Sequence, residues 1–298
     1  MAVTRHHTTR VNGLDVFYRE AGDPGGPGVV LLHGTPTSSF MFRDLIPRLA
    51  EDYHVVAPDY IGFGLSGAPR TDEFDYTFDG LTDVVDALLT DLSLHDYALY
   101  VQDYGAPVGW RLALRHPEHV TAVITQNGNA YDEGFVPAFW EPLWRYAGHR
   151  TPENAVPLLD ALSLDMIRWQ YTHGVPDPAV VSPDTWMHDY YQVSRPGNPE
   201  IQLALFADYP SNVALYPAVH DYFRSSRVPL LAVWGRNDEI FGPDGARAFM
   251  RDLPDAEIHL LDGGHFLLES HLDEATPIIR DFLARTFTAP RQPERTPS

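Results

Sequence analysis

Two residue types are missing from this 298-residue chain. It has no cysteine, which rules out disulfides, thiol nucleophiles and cysteine-ligated zinc. It has no lysine either, since all 21 basic residues are arginine; Schiff-base chemistry and a lysine-bearing phosphate loop are therefore excluded. Positive charge is scarce, with 41 acidic residues giving a formal net charge of -20. A surface of that sign repels phosphate backbones and anionic lipid, so neither nucleic acid nor a membrane surface is an expected partner. Long hydrophobic runs are absent as well. The N-terminal MAVTRHHTTRVNG has no apolar core and no stretch approaches 18 apolar residues, so a cytoplasmic protein is expected.

What is present is a strand–turn–helix signature. In ALYVQDYGAPVGWRLA, residues 98–113, an apolar run stops at Gln102-Asp103-Tyr104-Gly105 and a helical pattern begins at once. Such a turn exposes one residue and aims the first N–H groups of the helix at whatever that residue attacks. Where the common pattern is G-x-S-x-G, this chain has Val101-Gln102-Asp103-Tyr104-Gly105, so the candidate nucleophile is a carboxylate. A carboxylate displaces at alkyl carbon and leaves an ester for water to hydrolyse. The plain alternative is an Asp that caps the helix.

Around this turn the chain reads as alternating strands and helices. VNGLDVFYRE (11–20) predicts a hairpin around Asn12-Gly13. GVVLL (28–32) predicts a buried strand that runs into His33-Gly34-Thr35-Pro36-Thr37, where the Thr35 N–H is a candidate oxyanion donor. A helix is predicted over 40–49, a strand over 53–58, and an amphipathic helix over 78–92. Two glycine motifs in 59–69 imitate a dinucleotide loop and a serine elbow, but Pro69 and TDEFD follow them where a helix is required. Further strands are predicted over 120–125, 228–234 and 257–261, with helices over 245–253 and 274–286. This spacing makes βαβ units and a mostly parallel sheet.

The rhythm breaks between Ala130 and Arg227, which carry four of the six tryptophans (Trp140, Trp144, Trp169, Trp186). A stretch of roughly 100 residues is too long for a loop, so an inserted helical cap is expected. The expected division is a core of 1–129 and 228–287, a cap of 130–227 and a disordered tail of 288–298. Asp103, Asp238 and His265 each follow a predicted strand, and a parallel sheet gathers those ends on one edge.

Taken together, HGTPTSS (33–39), DYIGFGLSGAP (59–69), VQDYGAPVG (101–109), VWGRND (233–238) and GGHFLLES (263–270) resemble the α/β-hydrolase branch that holds epoxide hydrolases and haloalkane dehalogenases. The resemblance implies an α/β-hydrolase fold with a helical cap and no metal or organic cofactor. It implies Asp103 as nucleophile, His265 as the base oriented by Asp238, and an oxyanion hole from the N–H groups of Thr35 and Tyr104. The residues after the preceding strand, Gln126, Asn127 and Asn129, carry no charge and cannot replace Asp238 as the acid. Dehalogenases of the branch usually carry Trp and often Asn where this chain has Tyr104 and Thr35, so the usual halide site is not reproduced. An epoxide needs a proton for its leaving alkoxide, which a tyrosine supplies. Tyr216 fits the family's late cap tyrosine best and Tyr209 is the reserve; Tyr146 and Tyr171 remain open for the earlier partner. If the Tyr216 hydroxyl faces away from Asp103, the dehalogenase reading is to be weighed first. His33, Trp140 and Trp144 join Tyr146, Tyr171 and Tyr209 as expected pocket walls. The expected activity is epoxide hydrolysis of a small apolar substrate by a monomer or homodimer, with a dehalogenase or a non-catalytic ligand-binding protein as alternatives.

Overall fold

In the computed structural model, which describes residues 2–288, eight strands form one sheet in the order β1-β2-β4-β3-β5-β6-β7-β8. The strands are β1 (Arg5–Val11), β2 (Leu14–Ala21), β3 (Gly28–Leu32), β4 (His54–Pro58), β5 (Tyr97–Gln102), β6 (Val120–Gln126), β7 (Leu230–Gly235) and β8 (Glu257–Leu261). The β1–β2 and β2–β4 pairings are antiparallel and the other five are parallel. Asn12 and Gly13 join β1 to β2 with both φ angles positive, the backbone a tight hairpin requires. Strands β3 to β7 are almost wholly buried, as befits a parallel sheet covered by helices on both faces.

The helices of the core are α1 (Ile46–Leu49), α2 (Phe78–Asp91) and α3 (Gly105–Arg115). Between β6 and β7 lie α4 (Pro137–Gly148), α5 (Pro152–Asp160), α6 (Leu164–Thr172), α7 (Pro183–Val193), α8 (Asn198–Asp208) and α9 (Pro210–Ser226), in the segment expected to be the cap. The core resumes with α10 (Pro243–Ala248) and α11 (Leu267–Thr288). No described helix is long and apolar enough to cross a membrane.

Three helix expectations need correction. The single helix expected over 40–49 is a 3-10 turn, Ser39–Phe42, followed by one turn of α1. Pro47 has no N–H to give back to residue 43, so the α-helix begins only where proline fits its first turn. The helix expected over 245–253 starts earlier, with Pro243 in its first turn, and stops at Ala248 before a 3-10 turn. The closing helix begins at Leu267, kinks at His271 and ends with Thr288; the rest of the expected tail lies outside the described residues.

The glycines of the elbow are dictated by packing. A Cβ on Gly105 would lie 2.0 Å from the Leu32 carbonyl oxygen, and one on Gly109 would lie 2.5 Å from Val101 Cγ1. The α3 start is thereby drawn tight against β3 and β5, which brings the strand ends and their loops together.

Candidate active site

Asp103 occupies the turn between β5 and α3 with φ of 49°, a left-handed conformation that costs a residue with a Cβ about 1 kcal/mol or more. Its carboxylate is buried, and Oδ1 accepts the Thr35 N–H at 2.7 Å. The Tyr104 N–H bonds the same carboxylate. Burial raises the Asp103 carboxyl above its ordinary range, while His265 and the two N–H groups pull it back. Thus both N–H groups expected to form an oxyanion hole already face the carboxylate in the free protein.

His265 follows β8, and its Nδ1 lies 2.8 Å from Asp238 Oδ2, with both side chains almost fully buried. Burial works against the imidazolium, but the charges of Asp238 and then Asp103 outweigh it and raise the His265 pKa. The base is therefore lost as pH falls through a value above the ordinary histidine range.

Asp238 is held from three sides. Its Oδ1 accepts the Ile240 N–H at 2.7 Å, and its Oδ2 accepts Asn127 Nδ2–H at 2.7 Å as well as the His265 N–H. Asn127, at the end of β6, also accepts the Gly235 N–H at 3.0 Å on its Oδ1. Gln126 donates to the His265 carbonyl at 3.2 Å and accepts the Tyr100 hydroxyl at 2.6 Å. Sequence reasoning treated these amides only as an acid site left empty. Their value is that an amide both donates and accepts, so it can clamp a carboxylate and a backbone at once. Asn127→Leu has nearly the same shape and leaves the Gly235 N–H unpaired. It is expected to lower the unfolding free energy by about 1–3 kcal/mol, checked by urea denaturation.

Beneath α4, α6 and α8, Asp103, His265, Thr35 and Tyr104 open on a small cavity of about 50 Å³. Its other walls are Pro36, Phe139, Trp140, Leu143, Ala161, Leu162, Gln170, Phe206 and Ile240. A roomier hollow of about 470 Å³ beside Arg43 and Glu269 contains no triad member and is open to solvent. Gln170, on α6, was not singled out from sequence. It supplies the cavity's one amide side chain, and among the described residues that amide has no hydrogen-bond partner.

Of the expected pocket residues, Trp140 alone is on the wall, and its indole N–H is already given to the Ile240 carbonyl at 2.8 Å. His33 is instead a structural clasp. Its Nδ1 meets the Gly34 carbonyl at 2.8 Å and its Nε2 accepts the Tyr60 N–H at 3.2 Å, while burial lowers its pKa to about 4 and keeps it neutral. Trp144 packs against Phe135, Trp140 and Tyr209, and Tyr146 lies half-buried against the same apolar cluster. Tyr171 turns away, stacking on Phe266 at 3.9 Å and donating to Asp189 Oδ2 at 2.5 Å.

The expectation for Tyr216 is corrected. Its hydroxyl lies 3.5 Å from Asn129 Nδ2, its ring lies parallel to Phe135, and it is not on the cavity wall. Besides burial, the charge that raises its pKa is that of Asp132. Tyr209 is placed differently. It stands behind the cavity against Trp140, with ring centres 4.5 Å apart, and 6.0 Å from the ring of Tyr104. Burial, then Tyr216, Asp103 and Tyr104, push its phenol well above the usual value. Asp103 is among the charges that raise the Tyr209 phenol, as it is for Tyr60 and Tyr104.

The two serine and glycine decoys in the 59–69 loop are structural. Ser66 accepts the Phe17 N–H and donates to the Asp59 carbonyl, and the Asp59 carboxylate accepts the N–H groups of Ser39 and Leu65.

An eight-stranded, mostly parallel sheet with helices α4 to α9 between β6 and β7 and an Asp–His–Asp arrangement at its strand ends defines a class of enzyme, and the comparisons agree with it. The chain belongs to the α/β-hydrolase fold family, whose model matches residues 27–272, and to the branch of haloalkane dehalogenases and epoxide hydrolases. It is 42% identical over 276 residues to the uncharacterized hydrolase YNR064C of Saccharomyces cerevisiae, covering 91% of this chain and 94% of that one. It is 30% identical to a haloalkane dehalogenase of Mesorhizobium japonicum, covering 91% of this chain and 89% of the relative. Among solved structures, the epoxide hydrolase CorEH superposes with a TM-score of 0.79 at 22% identity, over 95% of this chain and 99% of that one, a likeness of fold. The protein is an enzyme of the α/β-hydrolase type.

Proposed function

We propose that this hydrolase converts small apolar epoxides to diols through an ester on Asp103. What supports the choice of epoxide is a cavity that has few donors for a halide, with the Tyr209 ring packed behind its Trp140 wall at 4.5 Å between ring centres. The Trp140 N–H is spent on Ile240, and the Thr35 hydroxyl donates to Gln202 Oε1 at 3.0 Å. Tyr104 brings a phenol ring where a second indole N–H would be needed. With Tyr216 turned elsewhere, the dehalogenase reading is weighed first and set aside for want of halide donors in the cavity, which leaves Tyr209, the reserve tyrosine, as the acid.

In this reading the Asp103 oxygen not held by Thr35 attacks one ring carbon, and the carbon–oxygen bond of the epoxide breaks. The released electron pair takes the Tyr209 proton once that hydroxyl turns in from behind the cavity wall, and the Gln170 amide on the wall hydrogen-bonds the same oxygen. A phenol whose pKa is raised remains protonated at working pH, so the proton is there to give. His265 then takes a proton from water, the hydroxide adds to the Asp103 ester carbon, and the N–H groups of Thr35 and Tyr104 hold the oxyanion. Collapse breaks the bond to the diol oxygen, which takes the proton of the added hydroxide as Asp103 returns to a carboxylate, and the imidazolium proton restores the Tyr209 phenol. Neither a metal nor an organic cofactor has a part in these steps.

The cavity is small and mostly hydrocarbon, which suits a substrate of a few carbons, since one water alone takes about 30 Å³ of liquid volume. The test is product analysis on a panel of short epoxides and haloalkanes of matched length. Diol without halide release is the expected outcome. Halide release without diol overturns the reading in favour of a dehalogenase.

A further inference from the structure

Gln102, the residue before the nucleophile, is fully buried at the end of β5, with its amide nitrogen 2.9 Å from His265 Nε2. That is the ring nitrogen opposite the one paired with Asp238. When Nδ1 carries its proton for Asp238, a neutral imidazole offers only a lone pair at Nε2, and an amide N–H donates to it. An imidazolium has an N–H there instead, and needs an acceptor.

Gln102 holds that acceptor in reserve. Its Oε1 is buried without a partner, although its neighbours Asn127, Gln126 and Asp238 are paired. The oxygen is crowded at Gly34, where a Cβ would lie 2.6 Å from it and 2.4 Å from Asp103 Oδ1. A buried acceptor left unpaired is costly, so its persistence beside the catalytic base calls for a use. Turning the amide by half a rotation exchanges its ends and presents the oxygen to Nε2.

We infer that Gln102 is a positioning residue for His265 that pairs with the base in both protonation states, donating to the neutral ring and, with the amide turned, accepting from the imidazolium. The inference rests on the two-step reading above, in which His265 passes through both states. The donated N–H covers the lone pair until a water displaces it. One O–H bond of that water breaks, its proton goes to Nε2, and the hydroxide forms the new bond to the ester carbon. The proton then lies between Nε2 and Gln102 Oε1 until the ring gives it up to restore the Tyr209 phenol. Other groups facing the ring are Asp238 and Asp103, Gln170 from the cap, and the His173–Glu239 pair at the edge of a small cleft that His265 also borders. The rings of Phe241 and Phe266 lie against the imidazole as well.

The test is nitrogen NMR of His265 in the substrate-free protein, with Gln102→Glu and Gln102→Met beside the parent, followed by the pH profile of ester hydrolysis. In Gln102→Glu the carboxylate and imidazole are expected to hold one proton between them to a pH at least about one unit higher, whichever carries it, and the acid limb of hydrolysis moves up with it. Gln102→Met fills the same space without a polar atom and serves if the Glu variant does not fold. It is expected to slow ester hydrolysis about tenfold or more while ester formation changes less than about threefold, because only the second step needs the base. An unshifted His265 titration in Gln102→Glu, or parental ester hydrolysis in Gln102→Met, overturns the inference. The NMR arm needs no substrate, so a shifted titration in a protein that opens no epoxide counts against the epoxide reading alone.

Discussion

Asp103→Gly is expected to lose turnover by about 10⁴-fold or more while making the protein more stable. The loss follows from removing the atom that attacks, and in enzymes whose groups act as a unit such a deletion costs nearly everything the unit provides. The gain in stability has two sources. Asp103 sits at φ of 49°, where glycine is at ease and a residue with a Cβ is strained by about 1–2 kcal/mol. Its carboxylate is also buried, with burial the largest influence on its pKa, so a charge is kept out of water for the sake of chemistry. Diol formation and urea unfolding of the same preparation measure both effects. An Asp103→Gly protein that is less stable than the parent would show that the elbow is not strained, and one that retains a tenth of the activity would remove Asp103 from the nucleophile's role.

The second large effect is expected at Tyr209. Phenylalanine keeps the ring against Trp140 and Tyr104 and removes only the hydroxyl. General-acid help is typically worth 10²- to 10⁴-fold, so epoxide turnover in Tyr209→Phe should fall within that range, toward its lower end if Gln170 shares the developing charge. Tyr216→Phe, whose hydroxyl is beside Asn129, should change turnover by less than about threefold. Initial rates of diol formation decide between them. The reverse order of effects would return the acid to Tyr216.

The two tyrosines also mark where sequence stops being informative. They are seven residues apart at the start of and within α9, which is about two helical turns and about 10 Å along the axis, on nearly the same side. Spacing to Asp238 cannot separate them; only the depth at which the helix begins beneath Trp140 does. Asp103, Asp238 and His265, by contrast, were legible because each follows an apolar strand, and a parallel sheet sends such ends to one edge. The Gly105 and Ala106 pair announced the elbow for the same reason that it folds there, lack of room against Leu32. His33, expected on the pocket wall, lies off it, with its two ring nitrogens both tied to backbone. Gln170, Gln102 and Asn127 were hidden because an amide carries no motif of its own, and its meaning comes from what lies across the fold. That residues 130–227 hold helices was readable from length and composition, but which of their side chains face the cavity was not, since apolar side chains divide between the helices' own packing and the cavity.

The central claim is an ester on Asp103, and it is tested most directly by mass spectrometry of the peptide that contains this residue. His265→Gln removes the base for the second step but leaves the nucleophile and its N–H donors in place. After exposure to a short epoxide, that peptide should gain the mass of the intact epoxide, with a stoichiometry approaching one, and Asp103→Gly should gain none. A His265→Gln protein whose Asp103 peptide never changes mass, while the parent still forms diol from the same epoxide, would contradict the account.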